Sequence, residues 1–140
     1  EYPPAHTAEH ILNQTMVRKF GCSRSHINHI ERKKSKCSYI LPTCPTEEDI
    51  RDVENTVNRV IESDLQVTTR YVSRDELPTD IDTSKLPADA SDTLRLVYVG
   101  DYDVCPCIGS HVEHTSEIGH FRISSTSYND GVFRIVFRLG

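Results

Sequence analysis

Two pairs of potential metal ligands stand near opposite ends of the chain, and the members of each pair are four residues apart. His6 and His10 form the first pair, and Cys107 and His111 form the second. Two imidazoles at i and i+4 lie on one face of a helix, which has about 3.6 residues per turn. A thiolate and a third imidazole complete the tetrahedral nitrogen and sulfur set that zinc prefers. The spacing therefore predicts a fold that brings both ends of the chain to one metal ion.

The sequences around these pairs resemble a known family. They read His-Thr-Ala-Glu-His-Ile-Leu-Asn at 6–13, Asp-Val-Glu-Asn-Thr-Val-Asn at 52–58, Cys-Ile-Gly-Ser-His-Val at 107–112 and Thr-Ser-Glu-Ile-Gly at 115–119. In order and spacing they resemble the editing domain of threonyl- and alanyl-tRNA synthetases, and more closely the free-standing trans-editing proteins of that family. The resemblance extends from about residue 6 to the C-terminus.

The resemblance implies an activity, a cofactor and a partner. The implied reaction is the Zn²⁺-dependent, ATP-independent hydrolysis of the ester that joins a wrong amino acid to its tRNA, with serine on tRNA(Ala) as the expected substrate. A metal-bound water held by His6, His10, Cys107 and His111 would be the nucleophile if one coordination position stays open, whereas four protein ligands at once would make the site structural. Such quality control of translation implies a cytoplasmic protein whose partner is mischarged tRNA.

Recognition of a mischarged serine depends on hydrogen bonds to its hydroxyl, which alanine lacks. The candidate groups are Gly109 and Ser110 in the second ligand pair and Asn28 in an irregular polar segment. Many members of the family read Cys-Gly-Gly-Thr-His at the second pair, whereas this chain has Ile108 and Ser110 inside it. The metal ligands are unaffected by these differences, but the identity of the edited amino acid stays open.

Other cysteines and histidines compete with the proposed ligands. Cys105 is the rival of Cys107 for the sulfur position, and the resemblance favours Cys107. His114 lies outside the pattern and is expected at the surface, while the sequence does not assign a role to His26 or His29.

Two further classes of function are compatible with parts of the pattern. His6-x-x-Glu9-His10 matches the HxxEH motif of certain metalloproteases, in which the glutamate is the general base. That class does not use an additional cysteine and a third histidine as ligands, both of which are present here. A non-catalytic module that is held together by a metal and only binds RNA or a synthetase is the second alternative.

Basic residues are concentrated in one segment of an acidic chain. The net charge is −5, yet residues 18–36 contain seven basic residues and one acidic residue, so the remainder carries −11. Such a segment can contact phosphate at one place on an acidic body, although a solvated basic loop has the same composition. The predicted tRNA contacts are Arg18, Lys19, Arg24, Arg32, Lys33, Lys34 and Lys36.

The periodicity of apolar residues predicts an α+β fold made of one two-layer domain over residues 1–140. The two principal helices are expected at about 5–18 and 46–64. Residues 74–92 are expected to form a long loop, and an Asn129-Asp130-Gly131 turn is expected to join the last two strands. The metal site would lie between the N-terminal helix and a C-terminal turn. Strands of a mainly antiparallel sheet are expected at 38–41, 65–72, 94–100, 120–125 and 132–138, with 22–36 irregular.

Composition restricts the class of protein. No apolar run approaches the ~20 residues that a transmembrane helix needs, and the first residues do not resemble a signal peptide. The five cysteines lack the spacing of a small disulfide-rich scaffold. Free thiols in a reducing compartment are therefore expected.

Overall fold

The first helix begins and ends at residues that favour a helix boundary. The computed structural model describes residues 2–25, 27–73 and 93–140. Helix α1 spans Pro3–Phe20 and has prolines in its first turn, where the backbone N–H groups have no helical partner. Gly21 ends it with a φ of 68° and donates its N–H to the carbonyl of Val17. The predicted N-terminal helix is confirmed.

The second helix, α2, spans Glu47–Glu62. Thr46 and Asp49 form a reciprocal capping box, in which each side chain accepts the backbone N–H of the other residue. The buried side chains Val53, Val57 and Val60 recur at helical spacing. This helix is also confirmed, and its ends differ from the predicted ones by no more than two residues.

In the described ranges, seven strands with antiparallel pairing form two sheets. The first sheet has four strands in the order β1-β2-β7-β6, and the second has three in the order β3-β4-β5. A short 3-10 helix spans Thr115–Ile118. The strands are β1 (Ile27–His29), β2 (Ser35–Ile40), β3 (Val67–Ser73), β4 (Thr93–Val99), β5 (Asp103–Pro106), β6 (Phe121–Asn129) and β7 (Val132–Leu139).

The α+β class with antiparallel pairing is confirmed, but the described strands form two sheets where one was predicted, and they differ from the predicted strands in three places. The segment 22–36, expected to be irregular, contains β1 and the start of β2. Strand β5 was not predicted, and the strand expected at 120–125 continues to Asn129 past a bulge between Ile123 and Ser125. The loop expected at 74–92 lies outside the described residues.

The hairpin between β6 and β7 is confirmed, and its turn has the expected chemistry. Asn129 and Val132 pair across the two strands, so the loop consists of Asp130 and Gly131. Their φ angles are 52° and 80°. Two consecutive positive φ values are characteristic of a type I′ turn, whose twist matches that of the strands.

One hydrophobic core joins the helices to the inner face of the four-stranded sheet. The side chains at its centre are almost fully buried and come from α1, α2, β2, β6 and β7. The central residues include Ile11, Leu12, Met16, Tyr39, Val57, Phe121, Phe133 and Phe137.

Within the described part of the chain, no helix has the length and hydropathy needed to cross a bilayer.

Helix α1 is attached to the β4–β5 turn and to the segment after β5. Gln14 Nε2 and Arg18 Nη2 each donate to the carbonyl oxygen of Tyr102 at 2.8 Å. Nearer the start of the helix, the backbone N–H of Val112 donates to Thr7 Oγ1 at 3.1 Å. The C-terminal half of α1 is thus held against the β4–β5 turn, and its N-terminal half against the residues that follow β5.

Candidate metal centre

The fold brings His6, His10, Cys107 and His111 together, with one potential ligand atom from each residue lying within 4.8 Å of the others. His10 is buried and the other three are partly buried. Cys107 Sγ lies 3.6 Å from His6 Nε2, and His111 Nε2 lies 3.1 Å from His10 Nε2. The four residues that the spacing predicts as one set of potential ligands therefore lie together in the structure.

The two separations agree with tetrahedral zinc geometry. With bonds of about 2.0–2.3 Å, neighbouring ligand atoms in such a site lie about 3.3 Å apart for two nitrogens and about 3.6 Å apart for sulfur and nitrogen. His111 Nδ1 is buried and has no hydrogen-bond partner among the described residues. Nε2 is the His111 nitrogen that faces His10, so the zinc fit depends on the two separations and on the nitrogen and sulfur donor set. The residues therefore fit a zinc ion.

Hydrogen bonds orient the ligands around this cluster. His6 Nδ1 lies 3.3 Å from the carbonyl oxygen of Ser110, which can only accept, so a hydrogen on Nδ1 holds the ring with Nε2 towards Cys107 Sγ. The N–H of Gly109 donates to Cys107 Sγ at 3.4 Å, and Arg95 Nη1 donates to the Gly109 carbonyl at 3.0 Å. The loop is thus held on both sides of the cysteine.

The imidazoles strongly favour the thiolate form of Cys107. Burial raises the pKa of this thiol, but hydrogen bonds from His10, His111 and His6 outweigh burial and lower the pKa to about 3. The same contact with Cys107 is the main reason that the pKa of His6 is raised. Burial lowers the pKa of His111, which favours its neutral form. A thiolate and a neutral imidazole are the forms that bind metals.

A polar network on one side of the cluster includes Asn28, one of the predicted substrate contacts. The Asn28 amide donates to Glu9 Oε2 and accepts from the Ser25 hydroxyl through short hydrogen bonds. Glu9 Oε1 lies 3.6 Å from His6 Nε2. Asn28 is therefore connected to the cluster through a buried carboxylate. The other two predicted contacts, Gly109 and Ser110, lie in the loop between Cys107 and His111.

On the other side, His10 contacts Cys105, the rival of Cys107 for the sulfur position, and Asp103, which was not among the predicted site residues. Its Nδ1 lies 3.5 Å from Asp103 Oδ2 and 3.2 Å from Cys105 Sγ. Arg24 holds both oxygens of Asp103, at 2.7 and 3.1 Å. Asp103 and Arg24 are 79 residues apart in sequence, and no local pattern connects them. Strand β5, which carries Asp103, is also not among the strands that the sequence predicts.

The basic segment divides into cations with partners inside the protein and cations on the surface. Arg24 binds Asp103, and Arg18 binds the Tyr102 carbonyl while its guanidinium lies 4.2 Å from the centre of the Tyr102 ring. Lys19 Nζ lies 2.8 Å from Asp52 Oδ2. The remaining four are exposed or partly exposed around the β1–β2 connection: Arg32, Lys33, Lys34 and Lys36.

The other competing residues lie at different places. His114 is exposed, and its Nδ1 lies 3.8 Å from Asp64 Oδ1, outside the metal-ligand cluster. His29 is exposed on β1, and His26 lies outside the described residues. The five cysteines all lie in the described part of the chain, and none of them forms a disulfide there.

Comparison with known proteins finds similarity to one family of domains and to one class of enzymes. The family described as "Threonyl and Alanyl tRNA synthetase second additional domain" matches residues 94–136. Alanine–tRNA ligases of Halorubrum lacusprofundi and Fervidobacterium nodosum are 31% and 32% identical to the chain, over 96% and 93% of its length. That of Nitrosomonas eutropha is 30% identical over 87%. The chain spans about 15% of the length of these curated relatives.

The match covers β4, β5, the loop of the second ligand pair and most of the β6–β7 hairpin. The relatives extend the similarity to the N-terminal helix, which carries the first ligand pair. Over residues 94–136 the chain is similar to the threonyl- and alanyl-tRNA synthetase second additional domain family, and over nearly all of its length it is similar to alanine–tRNA ligases.

Proposed function

We propose that this protein is a zinc-dependent aminoacyl-tRNA deacylase that hydrolyses the ester bond of mischarged tRNA in trans, with Ser-tRNA(Ala) as substrate. The observation that carries the proposal is the convergence of three imidazoles and one thiol, from two ends of the chain, within 4.8 Å in a chain that is similar to this family. Action in the cytoplasm, where tRNA is charged, is part of the proposal.

The proposed metal ligands are His6, His10, Cys107 and His111. When bound there, zinc would supply a Lewis acid beside the ester carbonyl or an anchor for the amino group of the substrate. The protein contributes ligands that need little rearrangement, because Cys107 is held as a thiolate and the Ser110 carbonyl fixes the ring of His6. Pre-oriented ligands favour the reaction because the geometry is set before the substrate arrives.

Glu9 and Asn28 are positioned to bind the aminoacyl group. Glu9 is buried beside His6 and is held by the Asn28 amide, so its carboxylate can accept hydrogen bonds from a substrate ammonium or hydroxyl group. A site that offers a bond to the serine hydroxyl rejects alanine, since the polar group would be left unpaired. The loop carbonyls and N–H groups around Gly109 and Ser110 face the same substrate from the opposite side in this proposal.

The exposed cations of the β1–β2 connection are the proposed phosphate contacts. Arg32, Lys33 and Lys34 are all exposed and follow one another in the chain. Arg24 is excluded from this role, because its guanidinium is occupied by the buried carboxylate of Asp103. Arg18 and Lys19 already have partners within the protein, so their contribution is expected to be smaller.

A second candidate function is a non-catalytic module in which the metal is structural and the protein only binds RNA or a synthetase. The number of ligands favours it, since four protein donors can fill a tetrahedral zinc site and leave no open position. The metalloprotease alternative lacks comparable support, because Glu9 is engaged by Asn28 and a cysteine completes the ligand set.

A deacylation assay separates the two functions. Zinc-loaded protein is incubated with Ser-tRNA(Ala) and, as the matched control, with Ala-tRNA(Ala), and the acid-precipitable labelled amino acid is followed with time. We expect loss of serine at a rate well above spontaneous hydrolysis, little loss of alanine, and no activity after zinc removal. Binding of tRNA without accelerated hydrolysis of either ester would favour the non-catalytic module.

A further inference from the structure

Asp103 is a buried carboxylate that contacts His10 from the side opposite to the metal cluster. Its side chain is 0% exposed, and that of His10 is 3% exposed. The two nitrogens of His10 face different groups. Nε2 lies 3.1 Å from His111 Nε2, whereas Nδ1 lies 3.5 Å from Asp103 Oδ2 and 3.2 Å from Cys105 Sγ. A carboxylate behind a histidine ligand fixes which nitrogen carries the hydrogen and how the ring is oriented.

Arg24 fixes Asp103 in turn. Its Nη1 and Nη2 bind the two carboxylate oxygens at 2.7 and 3.1 Å, which is the bidentate geometry that a guanidinium forms with a carboxylate. The Arg24 side chain is only 15% exposed. A buried carboxylate needs a cationic partner, and Arg24 supplies it without occupying the imidazole.

The same place could instead hold a second metal ion. His10, Asp103 and Cys105 form another group whose ligand atoms lie within 4.8 Å of one another. A cation bound there would share Asp103 with a guanidinium that already binds both of its oxygens. Like charges at such a distance repel strongly in a buried site, so the arrangement favours a proton on Nδ1 over a second metal.

We propose that Asp103, held by Arg24, positions His10 by accepting the hydrogen of Nδ1, which directs the Nε2 lone pair towards the metal. Asp103 and Arg24 are positioning residues that act through His10. Arg24 thereby belongs to the metal centre and not to the phosphate-binding surface. This inference rests on the metal centre of the proposed function, and it does not require that the metal be catalytic.

The first test measures zinc affinity by competition with a chromophoric chelator. Substitution of Asp103 by asparagine keeps the size of the side chain but removes its charge, and we expect the affinity to fall by about 10–100-fold. Arg24→Gln should have a similar effect, and Arg24→Lys should restore part of the affinity. Lys19→Gln removes a cation of the same segment whose carboxylate partner, Asp52, lies outside the centre, and should leave the affinity unchanged.

The second test reads the hydrogen on His10 directly, by ¹⁵N NMR of the imidazole in zinc-loaded protein. We expect a protonated Nδ1 and a metal-bound Nε2 in the wild type, and a change in the Nδ1 signal in the Asp103→Asn protein. A role in folding alone would alter thermal stability without changing this signal. The wild-type spectrum keeps the test informative even if the Asp103 variant does not fold.

Four outcomes would overturn the proposal. The first is that the Asp103→Asn and Arg24→Gln proteins both bind zinc within about twofold of the wild type, and the second is that the hydrogen of His10 lies on Nε2. The third is that the wild-type protein binds no zinc. The fourth is that the wild type binds two zinc ions per chain and the Asp103→Asn protein binds only one. The last would establish the second metal site. If the variants lose affinity as expected but the wild type does not hydrolyse Ser-tRNA(Ala), the positioning role stands and the proposed catalytic function fails.

Discussion

The Nε2 atoms of His10 and His111 face each other at 3.1 Å, although 101 residues separate them in the chain. Two imidazole nitrogens at this distance are compatible with a shared hydrogen or with two lone pairs directed at one cation. Cys107 lies among the same rings, and its pKa is lowered to about 3. The thiolate adds the negative charge that a divalent metal requires, and the following expectations depend on this arrangement.

Replacing the metal ligands should abolish deacylation, whereas replacing the neighbouring cysteine should not. We expect Cys107→Ala and His10→Ala to reduce the rate by more than about 100-fold, since each removes a direct ligand. Cys105→Ala is the matched control, because Cys105 contacts His10 Nδ1 on the side away from His111. It should retain activity within about tenfold. Equal losses in the Cys105 and Cys107 variants would mean that the sulfur ligand is wrongly assigned.

The thiolate of Cys107 should be detectable in the metal-free protein. Because its pKa is about 3, Cys107 should react with iodoacetamide at pH 6. Cys22 is the internal comparison, since burial raises the pKa of its thiol and its reaction should require alkaline pH. Mass spectrometry after proteolysis assigns the modified residue. Excess zinc should protect Cys107, and failure of Cys107 to react below neutral pH would contradict the thiolate assignment.

The stability of the metal-free protein should pass through a maximum in pH. The pKa of Asp103 is lowered from 3.8, because hydrogen bonds from His10 and Arg24 outweigh its burial. The stabilisation that comes from the ionised Asp103 is fully present above pH 3.8. It is lost as the pH falls through the lower pKa that Asp103 has in the folded protein. Burial opposes the charging of His10, but hydrogen bonds to Asp103, Cys105 and Cys107 raise its pKa well above 6.5.

The contribution of His10 has the opposite sign. It is present below pH 6.5 and is lost as the pH rises through the higher pKa of the folded protein. Urea unfolding of the metal-free protein between pH 3 and 9 measures both limbs. The Asp103→Asn protein should show a flatter profile on both sides, because the pair is broken. A profile identical in shape to that of the wild type would show that the pair has no influence on stability.

Zinc should stabilise the folded protein, and the gain should increase with the ratio of the free zinc concentration to its Kd. A ligand that binds only the folded state at about 100 times its Kd adds about 2.7 kcal/mol to the free energy of unfolding. Thermal unfolding with increasing free zinc should therefore give a rising Tm, and a chelator should reverse it. The Cys107→Ala protein is the control and should show a much smaller dependence. An unchanged Tm in the wild type would argue against a metal bound by the native fold.

Binding of tRNA should depend on the exposed cations of the β1–β2 connection. Reversal of Lys33 and Lys34 to glutamate should weaken the affinity and flatten its dependence on salt, because fewer counterions are released. Hydrolysis of a minimal aminoacyl ester should be nearly unchanged.

The matched comparison is the reversal of Arg134 and Arg138, which are exposed on β7. An effect confined to the β7 variant would place the tRNA on the outer face of the four-stranded sheet. Unchanged affinity and salt dependence in the Lys33 and Lys34 variant would identify the basic segment as a solvated loop.

The sequence was sufficient for the elements with strong local patterns. The capping residues Thr46 and Asp49 define the start of α2, and Asp130-Gly131 defines the last hairpin, because both depend on chemistry within a few residues. The ligand cluster was also predictable, since the two four-residue spacings restrict the arrangement. The short strands β1 and β5 lack such a pattern and are stabilised by pairing with β2 and β4.

The roles of Arg24 and Asp103 could not be predicted for a related reason. Composition identifies a basic segment, but only the fold shows which of its cations already have a carboxylate partner. Arg24 binds the buried carboxylate of Asp103, which lies on a strand 79 residues further along the chain. Lys33, in contrast, is exposed. The charge of a segment is therefore a weak guide to its contacts until the internal ion pairs are known.

The origin of the ligands at the two ends of the chain has a consequence for folding kinetics. Helix α1 can supply His6 and His10 early, since helices form from local contacts. The loop with Cys107 and His111 can contact these histidines only when the chain of about a hundred residues between the two pairs has closed on itself. This step is slow, because the entropic cost of closing a long loop must be overcome first. A folding intermediate that lacks this closure holds at most two ligands on one element and should bind zinc weakly. The capture of zinc would then mark the completion of the tertiary structure, and its rate would report the formation of the latest long-range contacts.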